Sequence, residues 1–551
     1  VAPRREAAVV RGRRAAAFLA AAVALGGATG CGGGGEARET PASAAEPTPG
    51  GTCVVGLFSD FDSLNEFVST DANATDCMEN LLYLPLLRWS ADIELEGALA
   101  RSWDFSEDGR TITMQLRDDV RWHDGVPTTA EDVVFSFDRF RDPALAYADI
   151  GDLRRLESVE AVGPYAVRFR FTQPYANQLS DLRRVILPKH LLENVPSAEM
   201  ESAAFNTAPV GNGPFRFVRW RRNQELVLEA NPDFPDGRPY LDRIVLRVIP
   251  DQTAIETALR SGELDFVDRL RFETVSDFRR DPAFRVYTYP QRGYQYVGWN
   301  TRTPFFDTAN ERLAMTLAID RRSILDALVF GEGKVTAHPV MSLSPFYASD
   351  IAPHPYDPDR ARELLAAAGW KDTDGDGWLD QDGRKFEFTL VTNLGNQLRE
   401  DTLVIIQDQL KRIGISVIPG VREWSVFLDD LKSKRFEACH LSWQTDFTVD
   451  PYDLFHSDAV EGKYNFTAFS NPRVDELIDA GSAARTAEEA SPFWHELQAV
   501  LHEQQPYTIL FELDYSVGTS ARLRGVDIDV RGIFVGAREW WIAPADRKYA
   551  G

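Results

Sequence analysis

The chain has 551 residues, about three or four domain-sized units. Hydrophobic residues make up 44% and charged residues 26%, the balance of a soluble globular protein, and the formal net charge of −24 repels phosphate backbones and speaks against nucleic-acid binding. Four cysteines, Cys31, Cys53, Cys77 and Cys439, are too few for a disulfide framework and lack the CxxC or Cys/His spacing of a zinc site.

The N-terminus reads as an address. Arg4, Arg5, Arg11, Arg13 and Arg14 make a basic start, and residues 15–27 are almost wholly small and apolar. That is the pattern of an export signal, expected over residues 1–30 and too short to cross a bilayer. It ends in Ala28-Thr29-Gly30-Cys31, which resembles a bacterial lipobox with alanine where leucine is usual. Acylation of Cys31 is the expectation; the alternative is ordinary signal-peptidase cleavage that leaves a free thiol. Several acyl chains on one residue hold a membrane firmly where a single chain holds weakly. Residues 31–51 are rich in Gly, Ala, Pro, Thr and Glu and cannot bury enough surface to offset their ordering entropy. They read as a tether of about 25 Å r.m.s. span. No later stretch reaches about 18 consecutive apolar residues, so no further span is expected. Once exported, Cys53 and Cys77 either oxidise to a pair or stay buried as free thiols.

Beyond residue 51, strands and helices alternate. Residues 53–57 read as a short buried strand, 111–117 and 166–171 as strands of period two, and 226–230 and 244–249 as further strands. A helix opens at Thr129, with Thr128 or Thr129 as its cap and Glu131 and Asp132 at its positive end. Gln252 to Ser261 reads as a helix closed by Gly262, Asp357 to Ala368 as one closed by Gly369, and Leu403 to Ile413 as one closed by Gly414. Strands are expected over 386–390, from 415 and over 436–441. The class is α/β throughout, with no repeat at a period of 20 to 50 residues.

Catalytic signatures are missing from the sequence: there is no GxSxG, HExxH or phosphate loop. The His123-Asp124 pair sits in a turn, where sequence neighbours rarely work together. Asp372-Thr373-Asp374-Gly375-Asp376-Gly377-Trp378-Leu379-Asp380 places carboxylates at positions 1, 3, 5 and 9 of a calcium loop. Position 12, where a bidentate glutamate belongs, is Gly383, and the segment reads as an Asp/Gly turn before a strand. Trp443-Gln444-Thr445-Asp446 follows a strand, where an aromatic plane and a carboxylate suit a cationic ligand; the plain alternative is a rim tryptophan with a turn-forming aspartate.

Longer patterns identify a family. Ala98-Leu99-Ala100-x-Ser102-Trp103, Asp108-Gly109, Leu116-Arg117, Trp122-His123-Asp124-Gly125 and Thr129-Ala130-Glu131-Asp132-Val133 resemble the signature of the extracellular solute-binding proteins of family 5. These are the oligopeptide-, dipeptide- and nickel-binding components of ABC importers. Pro209-Val210-Gly211-Asn212-Gly213-Pro214-Phe215, Ser261-Gly262-Glu263-Leu264-Asp265, Asp450-Pro451 and Val474-Asp475-Glu476-Leu477-Ile478 are similar too, so that the likeness runs from about Thr52 to Trp541. It implies a two-lobed periplasmic-binding-protein-like fold (type II, large peptide-binding variant) with an extra domain on the first lobe. The first lobe would comprise 52–87, 205–297 and 514–551, the extra domain 88–204 and the second lobe 298–513. His123, Asp124 and Gly125 would be structural.

In peptide-binding relatives a Trp-x-x-Asp loop offers its carboxylate to the ligand's α-amino group. The resemblance carries that role to Asp446 and the stacking role to Trp443. Asp450-Pro451 stands slightly further on than is usual, which implies a small insertion. Phe58, Ser59 and Asp60, after the first strand, and Tyr296 and Asn300, near the lobe crossing, are further cleft candidates. The implied function is capture of a peptide by a lipid-anchored, monomeric protein without cofactor, metal or catalytic residue, and its delivery to an ABC permease. A nickel complex, a sugar, haem or an opine are the alternative ligands. An extracytoplasmic hydrolase would need a nucleophile–base pair that the sequence does not offer.

Overall fold

The computed structural model describes residues 46–147 and 153–548. The segment expected to be an export signal, Cys31 and most of the expected tether lie outside the described residues. Among the described residues no helix is long and apolar enough to cross a membrane.

A mixed sheet of 12 strands organises the chain. In spatial order it runs Ser416–Arg422, Glu387–Asn393, Ala438–Gln444, Gly293–Trp299, Tyr507–Ser520, Phe266–Val267, Thr52–Leu57, Arg243–Val248, Glu225–Ala230 and Phe215–Arg221. The 14-residue strand Tyr507–Ser520 joins its two halves. Its first residues pair antiparallel with Gly293–Trp299, and its last pair with Phe284–Pro290 and Phe266–Val267. Gly333–Lys334 also pairs with it. Each half keeps its own core. Trp299, Phe306, Phe386, Phe388 and Leu410 pack on one side of the crossing; Ile255, Leu259, Leu264 and Phe278 pack on the other. Full burial of each such side chain stabilises the fold by about 1.5–3 kcal/mol.

A separate four-stranded antiparallel sheet is formed by Ala100–Phe105, Thr111–Leu116, Ala166–Phe171 and Leu156–Gly163. The helix Ala130–Phe140 packs against it through Val133, Phe137 and Phe140, and the Phe137 and Phe169 rings meet edge-on at 5.0 Å. That helix begins at Thr129 in a capping box: the Asp132 carboxylate accepts from the Thr129 amide at 2.8 Å, which satisfies a donor the helix leaves open.

Local signals place most of the anticipated elements. Gln252–Ser261 is a helix whose N-cap Asp251 accepts from the Ala254 amide, and Gly262 ends it in a left-handed conformation. Three boundaries differ from expectation. The strand expected over 386–390 runs Glu387–Asn393. The helix expected from Leu403 starts at Gln397, because Asn396 caps it by accepting from the Arg399 amide. The strand expected over 436–441 runs Ala438–Gln444, so that Trp443 lies inside a strand, pinned by register opposite Tyr294. Cys53 and Cys77 are buried free thiols and form no pair.

Candidate functional site

The residues of the family-like signature hold the fold together. The Gly211 amide donates to Nδ1 of His123 at 3.2 Å, and Nε2 of the same ring donates to the Gly213 carbonyl at 3.0 Å. The ring is therefore neutral, and burial lowers its pKa to about 4. A side chain on Gly211 or Gly213 would collide with the backbone of Leu82, at 1.9 and 2.6 Å, so the turn that His123 grips can only be glycine. Asp124 bonds His190 at 2.8 Å.

A cavity of about 290 Å³ lies where residues 154–184 meet residues 339–501. Asp446 contributes to its wall. The Asp446 carboxylate accepts from the Phe447 amide at 2.6 Å, and its charge raises the pKa of Arg183, after the stronger influence of Glu79. Arg183 itself bonds Glu79 at 2.6 Å, with both side chains largely buried. Arg154 stands 4.0 Å from Asp450, both well exposed. The Arg155 guanidinium lies 4.5 Å from the centre of the Tyr175 ring. Arg154, Arg155, Arg183 and Arg184 thus share the wall of this cavity with Asp181, Asp446 and Asp450.

The other anticipated residues stand elsewhere. The Trp443 ring lies parallel to Tyr296, at 6.4 Å, and to Phe466, at 5.5 Å, with Tyr464 edge-on; aromatic neighbours take up its surface. Tyr296 is fully buried in the same cluster. Asn300 is buried and donates to the carbonyls of Lys434 and Phe436, closing the end of its strand. Asp60 accepts from the Trp220 indole at 2.9 Å and from the Asn223 amide at 2.7 Å, which ties it to the hairpin of Phe215–Arg221 and Glu225–Ala230. Ser59 is exposed. Phe58 packs against the core beneath the Phe266–Val267 strand, beside Asp268, whose carboxyl burial pushes up to about 7. Of the anticipated ligand-binding residues, Asp446 is the one that lines the cavity.

Arg155, Tyr175 and Arg183 were not anticipated. They lie in segments with no motif, and their meeting with Asp446 depends on long-range packing that no local pattern encodes. In the Asp372 loop, carboxylate oxygens of Asp372, Asp374 and Asp376 come within 4.8 Å of one another, all exposed. Asp372 accepts from the amides of Gly375 and Gly377, and Asp380 accepts from Thr373. Gly383 sits in the turn between Asp380–Gln381 and Arg384–Lys385.

Comparison with known proteins gives these observations a context. The sequence model described as bacterial extracellular solute-binding proteins, family 5 Middle, matches residues 94–465. The chain is 35% identical to the oligopeptide-binding protein AppA of Bacillus subtilis over 512 residues, 91% of this chain and 93% of that one. The solved structure of Bacillus subtilis AppA in complex with a nonapeptide superposes with a TM-score of 0.75 at 34% identity, covering 90% of this chain and 100% of the other. NikZ from Campylobacter jejuni in complex with Ni(L-His) superposes with a TM-score of 0.75 at 26% identity, covering 89% and 99%. The two-lobed, mixed α/β architecture is common to all of them.

Proposed function

We propose, for a chain that belongs to the bacterial extracellular solute-binding proteins of family 5, that it captures peptides outside the cytoplasmic membrane, hands them to an ABC permease and catalyses no reaction. The observation that carries this reading is the Asp446 carboxylate in the wall of a cavity that also holds arginines. A peptide brings an ammonium group at one end and a carboxylate at the other, and a wall with both signs of charge complements it. Asp446 takes the α-amino group. Asp446 is exposed in the structure; closure of the lobes over a ligand buries it together with the α-amino group, where an unpaired charge is costly, so this pairing selects ligands with a free amino terminus.

The lobes follow the division 52–87, 205–297 and 514–551 against 298–513, with 88–204 as the extra domain. Ligand touches both lobes only when they close, and so shifts the population toward the closed form, which is the form a permease recognises. The protein works as a monomer, and Cys31 bears the lipid that holds it at the membrane; Cys31→Ser releases it into the soluble fraction.

A nickel complex is the second reading, favoured by the similarity to NikZ with its bound Ni(L-His). Against it, among the described residues no histidine lines the cavity and the one cluster suited to a metal is the exposed Asp372 loop. Mass spectrometry of the ligand retained by protein purified from its own cells separates the readings. Peptides are expected; a nickel chelate, a sugar, haem or an opine in their place overturns the proposal.

A further inference from the structure

We infer that Arg155 is the receptor for a carboxylate group of the bound ligand. The inference rests on the peptide reading above and adds to it a second charged contact, carried by a different part of the chain from Asp446.

The cavity wall is locally cationic on a protein of net charge −24. Most of its charges already have work within the protein. Arg183 is ion-paired with Glu79, Arg154 stands by Asp450 at the exposed rim, and Asp181 accepts from the Tyr175 hydroxyl. Arg155 is half-buried and has no carboxylate partner among the described residues. An arginine that burial partly strips of water keeps its charge, and it gains most from an anion that arrives with the ligand.

The surroundings hold Arg155 ready for this. Tyr175 is 4% exposed; its hydroxyl is tied to Asp181, and its ring meets Phe171 edge-on at 5.7 Å. The guanidinium rests on this fixed ring, which satisfies one of its faces and leaves its rim of N–H donors for a planar, two-point contact with a carboxylate. The Arg155 carbonyl accepts from the Thr172 amide at 2.9 Å, so the main chain is fixed as well. Placement ahead of binding lowers the entropy lost on association. A free C-terminus and an acidic side chain present the same group, and both are candidate donors of it.

Calorimetry on the full chain tests the inference with four probes: a nonapeptide of alanine and serine, its C-terminal amide, and the amide carrying either one glutamate or one glutamine. Wild type is expected to prefer the free acid to the amide, or the glutamate form to the glutamine form, by about tenfold or more. The first preference assigns Arg155 to the C-terminus and the second to a side chain. Arg155→Gln should erase that preference while leaving the penalty for N-acetylation unchanged. Arg155→Lys, which keeps the charge but not the fork, should restore part of it. Arg155→Gln with the preference intact overturns the inference, as does wild type that binds all four alike. If none of the four binds wild type, the peptide reading itself falls. Arg155 is then judged on the ligand recovered from the native protein: one without an anionic group overturns the inference, and an anionic one whose retention Arg155→Gln abolishes upholds it.

Discussion

Arg522 reaches Asp265 with two guanidinium nitrogens across 257 residues of sequence, Nη2 standing 2.6 Å from Oδ2. The Asp265 side chain is 1% exposed and that of Arg522 10%. Asp265 also accepts from the Val54 amide at 2.9 Å, so one carboxylate joins the first strand of the sheet to the turn that follows the strand Tyr507–Ser520. Asp265→Asn leaves the buried guanidinium uncompensated and should lower stability by about 3–5 kcal/mol, read as a drop in the urea midpoint at unchanged slope. Replacing both partners, Asp265→Leu with Arg522→Met, should cost markedly less. A single variant within about 0.5 kcal/mol of wild type, the range of an ordinary surface change, contradicts this reading.

His123 makes part of the stability depend on pH. Burial holds its pKa at about 4 against an ordinary 6.5, with Arg216 lowering it further and the Gly213 carbonyl and Asp124 acting the other way. The unfolded chain therefore takes up a proton that the folded ring refuses. The contribution is complete above about pH 6.5 and is lost as pH falls toward 4, a change of roughly 2–3 kcal/mol. Urea midpoints measured at about pH 7 and pH 4.5 should differ less for His123→Gln than for wild type. An equal difference in both proteins argues that the ring is not the titrating group.

Asp446→Asn keeps the shape of the side chain and removes its charge. If Asp446 anchors an α-amino group, the variant should lose about 2–5 kcal/mol of peptide binding, very roughly thirty-fold to several-thousand-fold in affinity. N-acetylation of the peptide should cost wild type a similar amount and the variant little. Calorimetry on the four combinations isolates the coupling; a value near zero removes Asp446 from the role.

The Asp372 loop should not confer tight calcium dependence, because the place of the bidentate ligand is taken by Gly383 and the three clustered carboxylates are exposed. Saturating calcium should leave the melting temperature nearly unchanged, with no effect of chelator. A large rise that chelator abolishes would mean that the loop recruits its missing oxygens elsewhere.

Local chemistry made the helices and many strands legible. Gly262, Gly369 and Gly414 each take a left-handed conformation after a helix, and the Thr129 cap and the alternation of 111–116 and 166–171 read directly. The cap at Asn396 carries no clear sequence signal, because its helix opens with mostly polar residues and no apolar period. The ligand-stacking role of Trp443 rests on the family resemblance and on a strand expected to end at 441, three residues short of its observed end; in the observed register the ring belongs to an aromatic stack. The cavity was legible only through Asp446. Its arginine wall joins segments almost 300 residues apart, and such a meeting is decided by topology, which hydrophobic periodicity does not record.

The strand Tyr507–Ser520 is the last of the main sheet to leave the ribosome, yet it lies in the interior of that sheet, between Gly293–Trp299 and Phe266–Val267. Until it emerges, both neighbours present unpaired edges, and neither half of the sheet can be completed by any segment already made. Pairing at such sequence separation is slow to form, so the growing chain has no completed main sheet until this strand is made. The same order of synthesis carries a hazard. A chain broken off before residue 507 has two adhesive edges at the middle of its sheet, and such edges associate with other chains; the product is aggregate, not half a protein.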